Sequence, residues 1–312
     1  MISFPFNYHV ISTWADLSFF KRNANLLSEV YTPPIFMEYQ DALTDFPDTK
    51  PDPIKALSIL KSIKALEIPI NVVLNNQNFK YDAAQLLDYK DLISTVTIYN
   101  REYLWLKKYF RVKNSVINLP TYAEVSRGEY DDFDVIQVHG DIIHNHDAWL
   151  KIKGTRTFGC ISNFNICVPY CTLKAKHYKA ASKVEHLDES LFCPAEKLSD
   201  DLRLMQRDSI PSTEYRYYAD VIDLFKLEGR ASDDVFLEAC DIVQALNGHG
   251  VVQSEVYLKD RLGKRYEAYL KRVRNCGGNC PQCGYCQALL RASDNALDRG
   301  SEFPVIKHKQ QR

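Results

Sequence analysis

The sequence predicts an α/β fold, a TIM-like (β/α)8 barrel with a small helical, cysteine-rich C-terminal extension. Three observations predict it. Short apolar, β-branched segments recur along the chain, and helix-like segments lie between them, which favours a parallel sheet. We find eight such segments, the number of strands in this kind of barrel. After residue 231 the pattern becomes purely helical. We therefore predict a barrel over 1–231 and a helical extension over 232–312.

The candidate strands are short runs rich in Val, Ile, Phe and Tyr. They cover residues 5–10, 34–39, 70–76, 94–100, 114–120, 134–141, 157–162 and 223–230. The clearest candidate helices have apolar residues at helical spacing, and they cover residues 52–67, 78–93, 232–247 and 253–274.

Composition limits the class of protein. The 312 residues include 46% apolar residues and carry a formal net charge of −1, so a large core is expected and a global basic field for nucleic acid is not. There is no long apolar run typical of a membrane helix and no N-terminal pattern typical of a secretory signal. We therefore expect a cytoplasmic protein with no membrane partner. In that reducing compartment, the clustered cysteines among the nine favour metal binding over disulfides.

The segment "DLFKLEGR" places charged residues on a face of the eighth candidate strand that should point into the barrel. Side chains alternate along a strand, so Lys226, Glu228 and Arg230 share one face and Phe225 and Leu227 share the other. The apolar face should meet the outer helices, and the charged face should point into the barrel. Buried charges cost several kcal/mol unless they are paired, so this face is either a structural ion network or an active site.

The segment "DVIQVHGD" shows the same alternation. Gln137, His139 and Asp141 share a face, and His144 and His146 follow in the chain. A metal site at the three histidines is conceivable, although histidines in a polar loop need no metal.

The first cysteine group begins at the end of the seventh candidate strand. It comprises Cys160, Cys167, Cys171 and Cys193. Four thiolates at one mouth of a barrel can hold a [4Fe–4S] cluster, and zinc also accepts four thiolates. The alternative is that these are separate buried apolar side chains.

The C-x6-C spacing from Cys160, a further cysteine downstream, "VHGD" and then "FKLEGR" resemble peptidase family U32 over residues 70–231. The resemblance implies a TIM-like barrel with a [4Fe–4S] cluster held by four cysteines, here Cys160, Cys167, Cys171 and Cys193. Their spacing departs from the family pattern, so Cys240 is the alternative for one of them. Relatives support oxygen-independent hydroxylation of an RNA base or of a ubiquinone precursor, and prephenate is the implied oxygen donor. The older description of the family is collagenase-like peptidase.

From this resemblance and the charged faces we expect a site made of His139, Asp141, Glu228 and Arg230. Arg230, together with Lys226, would bind a substrate carboxylate through charge-assisted hydrogen bonds. Glu228 or His139 would move protons.

The stretch "CGGNCPQCGYC" contains the second cysteine group, Cys276, Cys280, Cys283 and Cys286. The spacing C-x3-C-x2-C-x2-C suits a second [4Fe–4S] cluster, with zinc and unliganded thiols as alternatives. The preceding residues, 259–275, are rich in Lys and Arg. They predict a solvated helix face, or a contact with RNA phosphates or an acidic partner.

The sequence thus predicts an iron–sulfur enzyme that hydroxylates or otherwise modifies a small aromatic molecule, an RNA base or a peptide, with the help of an electron donor. Two rivals stay open. One is a peptidase or other hydrolase, although neither H-E-x-x-H nor G-x-S-x-G occurs. The other is a non-catalytic, cluster-bearing subunit of a heterodimer with a second protein.

Overall fold

The structure is a computed structural model. It describes residues 1–37, 51–75, 82–138, 140–163, 168, 198–206, 209–230, 232–274, 276 and 278–297.

Eight parallel strands form a single sheet in the order β5-β4-β3-β2-β1-β8-β7-β6. An isolated parallel bridge between Lys113 and Val135 joins its two ends, so the sheet nearly closes into a barrel. The side chain of Asn114 completes the junction, because its Nδ2 donates to the carbonyl of Gln137 at 3.0 Å and its Oδ1 accepts from the Gln137 N–H at 2.6 Å. The predicted (β/α)8 class is therefore confirmed. The strands are β1 (Ile2–Pro5), β2 (Leu27–Thr32), β3 (Ile70–Leu74), β4 (Ile93–Ile98), β5 (Arg111–Asn114), β6 (Ile136–Val138), β7 (Phe158–Ile161) and β8 (Leu224–Lys226).

The first two strand predictions were wrong in position. The first strand is β1, and much of the segment 5–10 lies in a helix that starts at Tyr8, because Asn7 caps it by accepting from the N–H of Val10. The second strand is β2, and the predicted segment 34–39 starts at the second of two prolines, which offer no N–H for a strand ladder. The fifth strand is also displaced toward the N-terminus of its predicted range, because the cap at Ser115 starts a 3-10 helix there.

The helices of the described chain pack around this sheet and beyond it. Within the described part of the predicted helix 78–93 the chain forms a 3-10 helix over Ala83–Tyr89, and residues 78–81 lie outside the described residues. The predicted helix 253–274 is divided by a turn at Gly263. The α-helices are α1 (Tyr8–Ile11), α2 (Ser18–Asn23), α3 (Pro53–Lys64), α4 (Tyr122–Ser126), α5 (Asp141–His144), α6 (His146–Lys153), α7 (Asp200–Gln206), α8 (Tyr215–Tyr218), α9 (Asp233–Leu246), α10 (Gln253–Leu262), α11 (Tyr266–Val273), α12 (Cys280–Cys283) and α13 (Tyr285–Leu297).

Two apolar cores hold these elements together. The main core lies between the sheet and the outer helices, where the ring of Phe236 on α9 packs against Phe4 on β1 at 5.4 Å. Helix α9 thus serves as the outer helix that follows β8. A second, smaller core joins α7, α10, α11 and α13 through Met205, Leu258, Leu262, Tyr266, Tyr269, Leu270 and Leu290. The boundary at residue 231 stays a prediction.

Among the helices of the described chain, none is both long enough and apolar enough to cross a membrane.

Candidate functional site

A buried ion pair lies on the inner face of the barrel. The Nζ of Lys113 on β5 approaches Oε1 of Glu29 on β2 at 2.5 Å, and both side chains are almost fully buried. Ser3 donates to the same oxygen at 2.5 Å, and Asn71 donates to it at 2.9 Å. Asn71 in turn accepts from Thr97 at 3.0 Å. Five strands therefore share one polar network inside the barrel, which satisfies charges that would otherwise be costly to bury.

Electrostatics in this network favour the charged form of the carboxylate. Burial alone would raise the pKa of Glu29, but the ammonium of Lys113 and the hydrogen bonds from Ser3 and Asn71 outweigh burial and hold it below its ordinary value. Burial lowers the pKa of Lys113, and the contact with Glu29 opposes this effect. The ion pair is therefore a structural feature of the inner face, below the next polar layer.

Lys226 and Tyr31 lie on the same inner face. Lys226 pairs in register with Ser3 on β1 and Ile161 on β7, and its Nζ lies 4.7 Å from the centroid of the Tyr31 ring. The Tyr31 hydroxyl donates to the carbonyl of Leu227 at 2.7 Å, which fixes the ring against the lysine. This is a cation–π contact on the inner face of the barrel.

Glu228 and Arg230 continue this polar row beyond β8. Both are partly exposed, and both lie close enough to Lys226 and Tyr31 to influence the pKa of those residues. The pKa of Lys226 is lowered to about 8, mainly by burial; the carboxylates of Glu228 and Glu29 oppose this shift, and the positive charges of Arg230 and Lys113 contribute to it. Burial raises the pKa of Tyr31, so its hydroxyl stays protonated. The predicted grouping of Lys226, Glu228 and Arg230 is thus present in the structure.

Two asparagines hold the backbone that carries this row. Asn163, just after β7, accepts from the N–H of Glu228 at 2.6 Å and donates to its carbonyl at 3.2 Å. Asn7, just after β1, donates to the carbonyl of Gly229 at 3.1 Å and to Asp233 at 3.0 Å. The end of β8 is therefore fixed from both neighbouring strands, which is the support that a precise binding site requires.

Gly229 is required at its position. Its φ is +139°, and an added Cβ would lie 2.5 Å from the Cα of Phe236 on α9. The close approach of α9 to the strand end therefore explains the glycine between Glu228 and Arg230 in physical terms.

Cys160 belongs to β7 and lies on the opposite face of the sheet from Lys226. It pairs in register with Phe225, whose ring stacks on Tyr215 outside the barrel at 4.2 Å. Its thiol is fully buried in the main apolar core and donates to the carbonyl of Ile161 at 3.4 Å. A thiol in such a layer also packs as a small apolar side chain.

The remaining members of the first site lie outside the described residues. This holds for His139, Cys167, Cys171 and Cys193. The backbone of Asp141 begins α5, but its side chain is not described. The four-cysteine ligand set, with Cys160 as its described member, and the roles of His139 and Asp141 therefore stay predictions.

The second cysteine group folds into a compact turn followed by a helix. Cys280 and Cys283 bound the single turn α12, and Gly284, at φ +61°, ends it with its N–H donating to the carbonyl of Cys280. Helix α13 then begins at Tyr285 and carries Cys286. The spacing of the cysteines therefore brings their thiols toward one another.

The four thiols of this group differ in their electrostatics. Hydrogen bonding from His144 and from the N–H of Gly278 lowers the pKa of Cys276. Arg272, whose Nη2 lies 3.5 Å from the Cys283 sulfur, lowers the pKa of that thiol. Burial, together with the other three thiols of the group, raises the pKa of Cys286 to about 12. The surroundings therefore favour the thiolate, the form that binds metals, more at Cys276 and Cys283 than at Cys286.

No group of three or more His, Cys, Asp or Glu side chains has metal-binding geometry among the described residues. The donor set of the second group suits a soft metal, since it offers four thiols. A second [4Fe–4S] cluster and zinc both stay predictions for it.

Two histidines and one cysteine that the sequence left open have other partners. His144 donates from Nδ1 to the carbonyl of Cys276, whereas His146 lies between Asp220 at 2.7 Å and Asp147 at 3.1 Å. The described partners of the two histidines therefore differ, and the three-histidine site stays a prediction because His139 lies outside the described residues. Cys240 is buried on α9, and burial raises the pKa of its thiol to about 12, so it is a poor candidate for a ligand.

Sequence reasoning missed Glu29, Tyr31, Lys113 and Asn163. The signal for the first two was present, because "LSEVYT" places Glu29 and Tyr31 on one face of a strand. Assigning the second strand to the wrong segment hid this alternation. Lys113 and Asn163 carry no local signal, because their roles depend on partners in other strands.

Comparison with solved structures finds a U32 peptidase structure that aligns with 73% of this chain and 92% of its own chain, with a TM-score of 0.41 and 13% sequence identity. No protein-family model matches the sequence, and no curated protein matches it. Similarity at this level carries no conclusion about family or activity, and the barrel assignment rests on the strand order of this chain.

Proposed function

We propose that the chain is a U32-type enzyme whose active site lies at the carboxyl end of the barrel. It would modify a small aromatic molecule, an RNA base or a peptide by oxygen-independent hydroxylation. The observation that carries the proposal is the row of Lys226, Glu228 and Arg230, with Lys226 held over the ring of Tyr31. Catalytic residues of such barrels come from the ends of the strands, and a cluster of charged side chains there favours a functional site.

The residues of this row divide into binding and proton-transfer groups. Arg230, with Lys226, would bind a carboxylate of the substrate through charge-assisted hydrogen bonds. Glu228 would move a proton, with His139 as the other candidate and Asp141 near it in the chain. The side chain of Asn163 positions Glu228 through hydrogen bonds with the backbone N–H and carbonyl of Glu228.

The cofactor of the proposal is a [4Fe–4S] cluster, which supplies electron transfer when bound. Cys160, Cys167, Cys171 and Cys193 would hold it, and the second cysteine group would hold a second cluster or zinc. The evidence for the first set is its spacing in the sequence, since Cys160 alone is described and its thiol lies in the apolar layer.

The first test is the metal and sulfide content of the chain purified without oxygen. Iron and acid-labile sulfide in equal amounts, with part of both lost in a Cys193→Ser variant, would support the cofactor assignment. Cys240→Ser is the matched control, because that thiol is buried with a raised pKa and its loss should leave the content unchanged. Zinc alone, or no metal, would contradict an iron–sulfur enzyme.

A second test addresses the barrel mouth. Prephenate, the implied oxygen donor, should raise the melting temperature of the chain, and Arg230→Lys should remove that effect. The same protein is then assayed for peptide cleavage and for hydroxylation of aromatic acids, with Glu228→Gln as the inactive variant. Cleavage that depends on Glu228 would favour the peptidase, and the absence of both activities would favour the non-catalytic subunit.

A further inference from the structure

We propose that Lys226 is a nucleophile that forms a Schiff base with the carbonyl carbon of a small carbonyl acid, such as a 2-oxo acid, bound at the barrel mouth. The inference goes beyond the proposed function, because hydroxylation requires no covalent bond between substrate and lysine. It assigns a reaction type to a residue that otherwise only adds positive charge.

The first argument is the contrast between the two inner-face lysines. Lys113 is buried and in direct contact with the carboxylate of Glu29. Lys226 is partly exposed, and its described contact is with the face of the Tyr31 ring. An ammonium that stabilises the fold is expected to be ion-paired, as Lys113 is. Lys226 is held in place by an aromatic face that leaves its nitrogen free to react when it loses its proton.

The second argument is the charge around Lys226. A lysine becomes nucleophilic when burial and neighbouring cations favour its neutral amine. Burial is the largest cause of the lowered pKa of Lys226, the positive charges of Arg230 and Lys113 act in the same direction, and the carboxylates of Glu228 and Glu29 oppose them. With a pKa of about 8, about a tenth of the lysine is neutral at pH 7, compared with less than about a thousandth of an ordinary lysine.

The third argument is the chemistry that Arg230 and Glu228 add along the same row. Arg230 suits the carboxylate of a carbonyl acid, since guanidinium groups bind carboxylates through two parallel hydrogen bonds. Glu228 can donate and accept the protons that the addition and dehydration steps require. The row therefore offers an amine, an anion-binding group and a proton-transfer group on one strand end.

The reaction balances without an oxidant or a reductant. The amine nitrogen attacks the carbonyl carbon, a C–N bond forms, and a carbinolamine results. The C–O bond then breaks, and the oxygen leaves as water with two protons that were originally on the lysine ammonium. The product is a protonated imine, so ammonium and carbonyl compound give iminium and one water.

The experiment traps this imine. The full chain is incubated with pyruvate, reduced with sodium borohydride, and analysed by intact mass and by peptide mapping. We expect one adduct for each chain, located at Lys226, with a yield that rises as the pH increases from 6.5 to 8.5. Lys226→Arg should abolish the adduct. Lys264→Arg removes an exposed lysine and should leave the yield unchanged.

A second variant keeps the test decisive if Lys226→Arg does not fold. Arg230→Lys should lower the yield with pyruvate at least tenfold and leave the yield with acetaldehyde, which has no carboxylate, unchanged. An adduct spread over several exposed lysines, or no adduct with either compound, would overturn the proposal. That result, found in a chain that retains iron and sulfide, would leave the proposed function standing.

Discussion

His144 donates a hydrogen bond from Nδ1 to the carbonyl oxygen of Cys276 at 2.8 Å, although 132 positions separate the two residues in the sequence. Because α5 follows β6, this bond joins the carboxyl end of the barrel to the second cysteine group. Arg274 makes a second link, with its Nη2 donating to Glu214 at 2.9 Å. The C-terminal cysteines are therefore attached to the barrel, close to the loops that would carry a site.

The second cysteine group gives the first prediction. We expect Cys283→Ser to remove the metal of this group while the barrel stays folded, because Cys283 is exposed and packs into neither core. Metal content by elemental analysis and secondary structure by circular dichroism measure the two effects. A lower iron content would identify a cluster, and a lower zinc content would identify zinc.

The control for this experiment is Cys240→Ser, which should leave the metal content unchanged. If Cys283→Ser also leaves iron and zinc unchanged, the second cysteine group holds no metal.

Gly229 gives the second prediction. Gly229→Ala should lower the free energy of unfolding by at least about 2 kcal/mol, because it combines a left-handed backbone with a contact of 2.5 Å to the Cα of Phe236. Gly248→Ala is the matched control, since Gly248 has a φ of +76° with no atom within 4 Å of an added Cβ. Its cost should be about 1 kcal/mol. Urea unfolding measures both, and equal losses would refute the role assigned to α9.

The Glu29–Lys113 pair gives the third prediction. Lys113→Met should cost about 3–5 kcal/mol, because it leaves the buried carboxylate of Glu29 without its cation. The double variant Glu29→Gln/Lys113→Met should lose less than the single variant, since no charge then stays buried. Chemical unfolding of the three proteins gives the comparison. A double variant less stable than Lys113→Met would show that the network is not governed by charge.

His146 gives the fourth prediction. Burial alone would lower its pKa, but the hydrogen bonds from its ring to Asp220 and Asp147 outweigh burial and raise it. A raised pKa in the folded state contributes stability that is fully present below the ordinary value of about 6.5 and is lost as the pH rises through the folded pKa. Asp220→Asn should therefore destabilise the chain more at pH 5.5 than at pH 8.5.

Melting temperatures across this pH range measure the effect. Asp132→Asn, which removes an exposed partner of Arg101 and no histidine partner, is the control and should show no such difference. A loss for Asp220→Asn that is equal at both pH values would contradict the assigned ion pair.

Local patterns predicted the third and fourth strands and the helices α3 and α9 well. "INVVL" and "STVTI" are strongly β-branched, and they form β3 and β4. The first two strands could not be placed correctly in this way, because "PFNYHV" is as apolar as a strand and the capping bond of Asn7 decides for a helix. The relevant difference is a single hydrogen bond, which composition does not reveal.

The sequence by itself determined the alternation of strands and helices, the charged face of "FKLEGR" and the spacing of the second cysteine group. Each depends on residues close together in the chain, where the strand period of two and the reach of a short turn fix the geometry. Tertiary structure alone decided the Glu29–Lys113 ion pair and the contact of Lys226 with the Tyr31 ring. It also decided that Cys160 lies in the main apolar core and that His144 donates a hydrogen bond to Cys276. These contacts join residues on different elements, and closing the barrel brings those elements together.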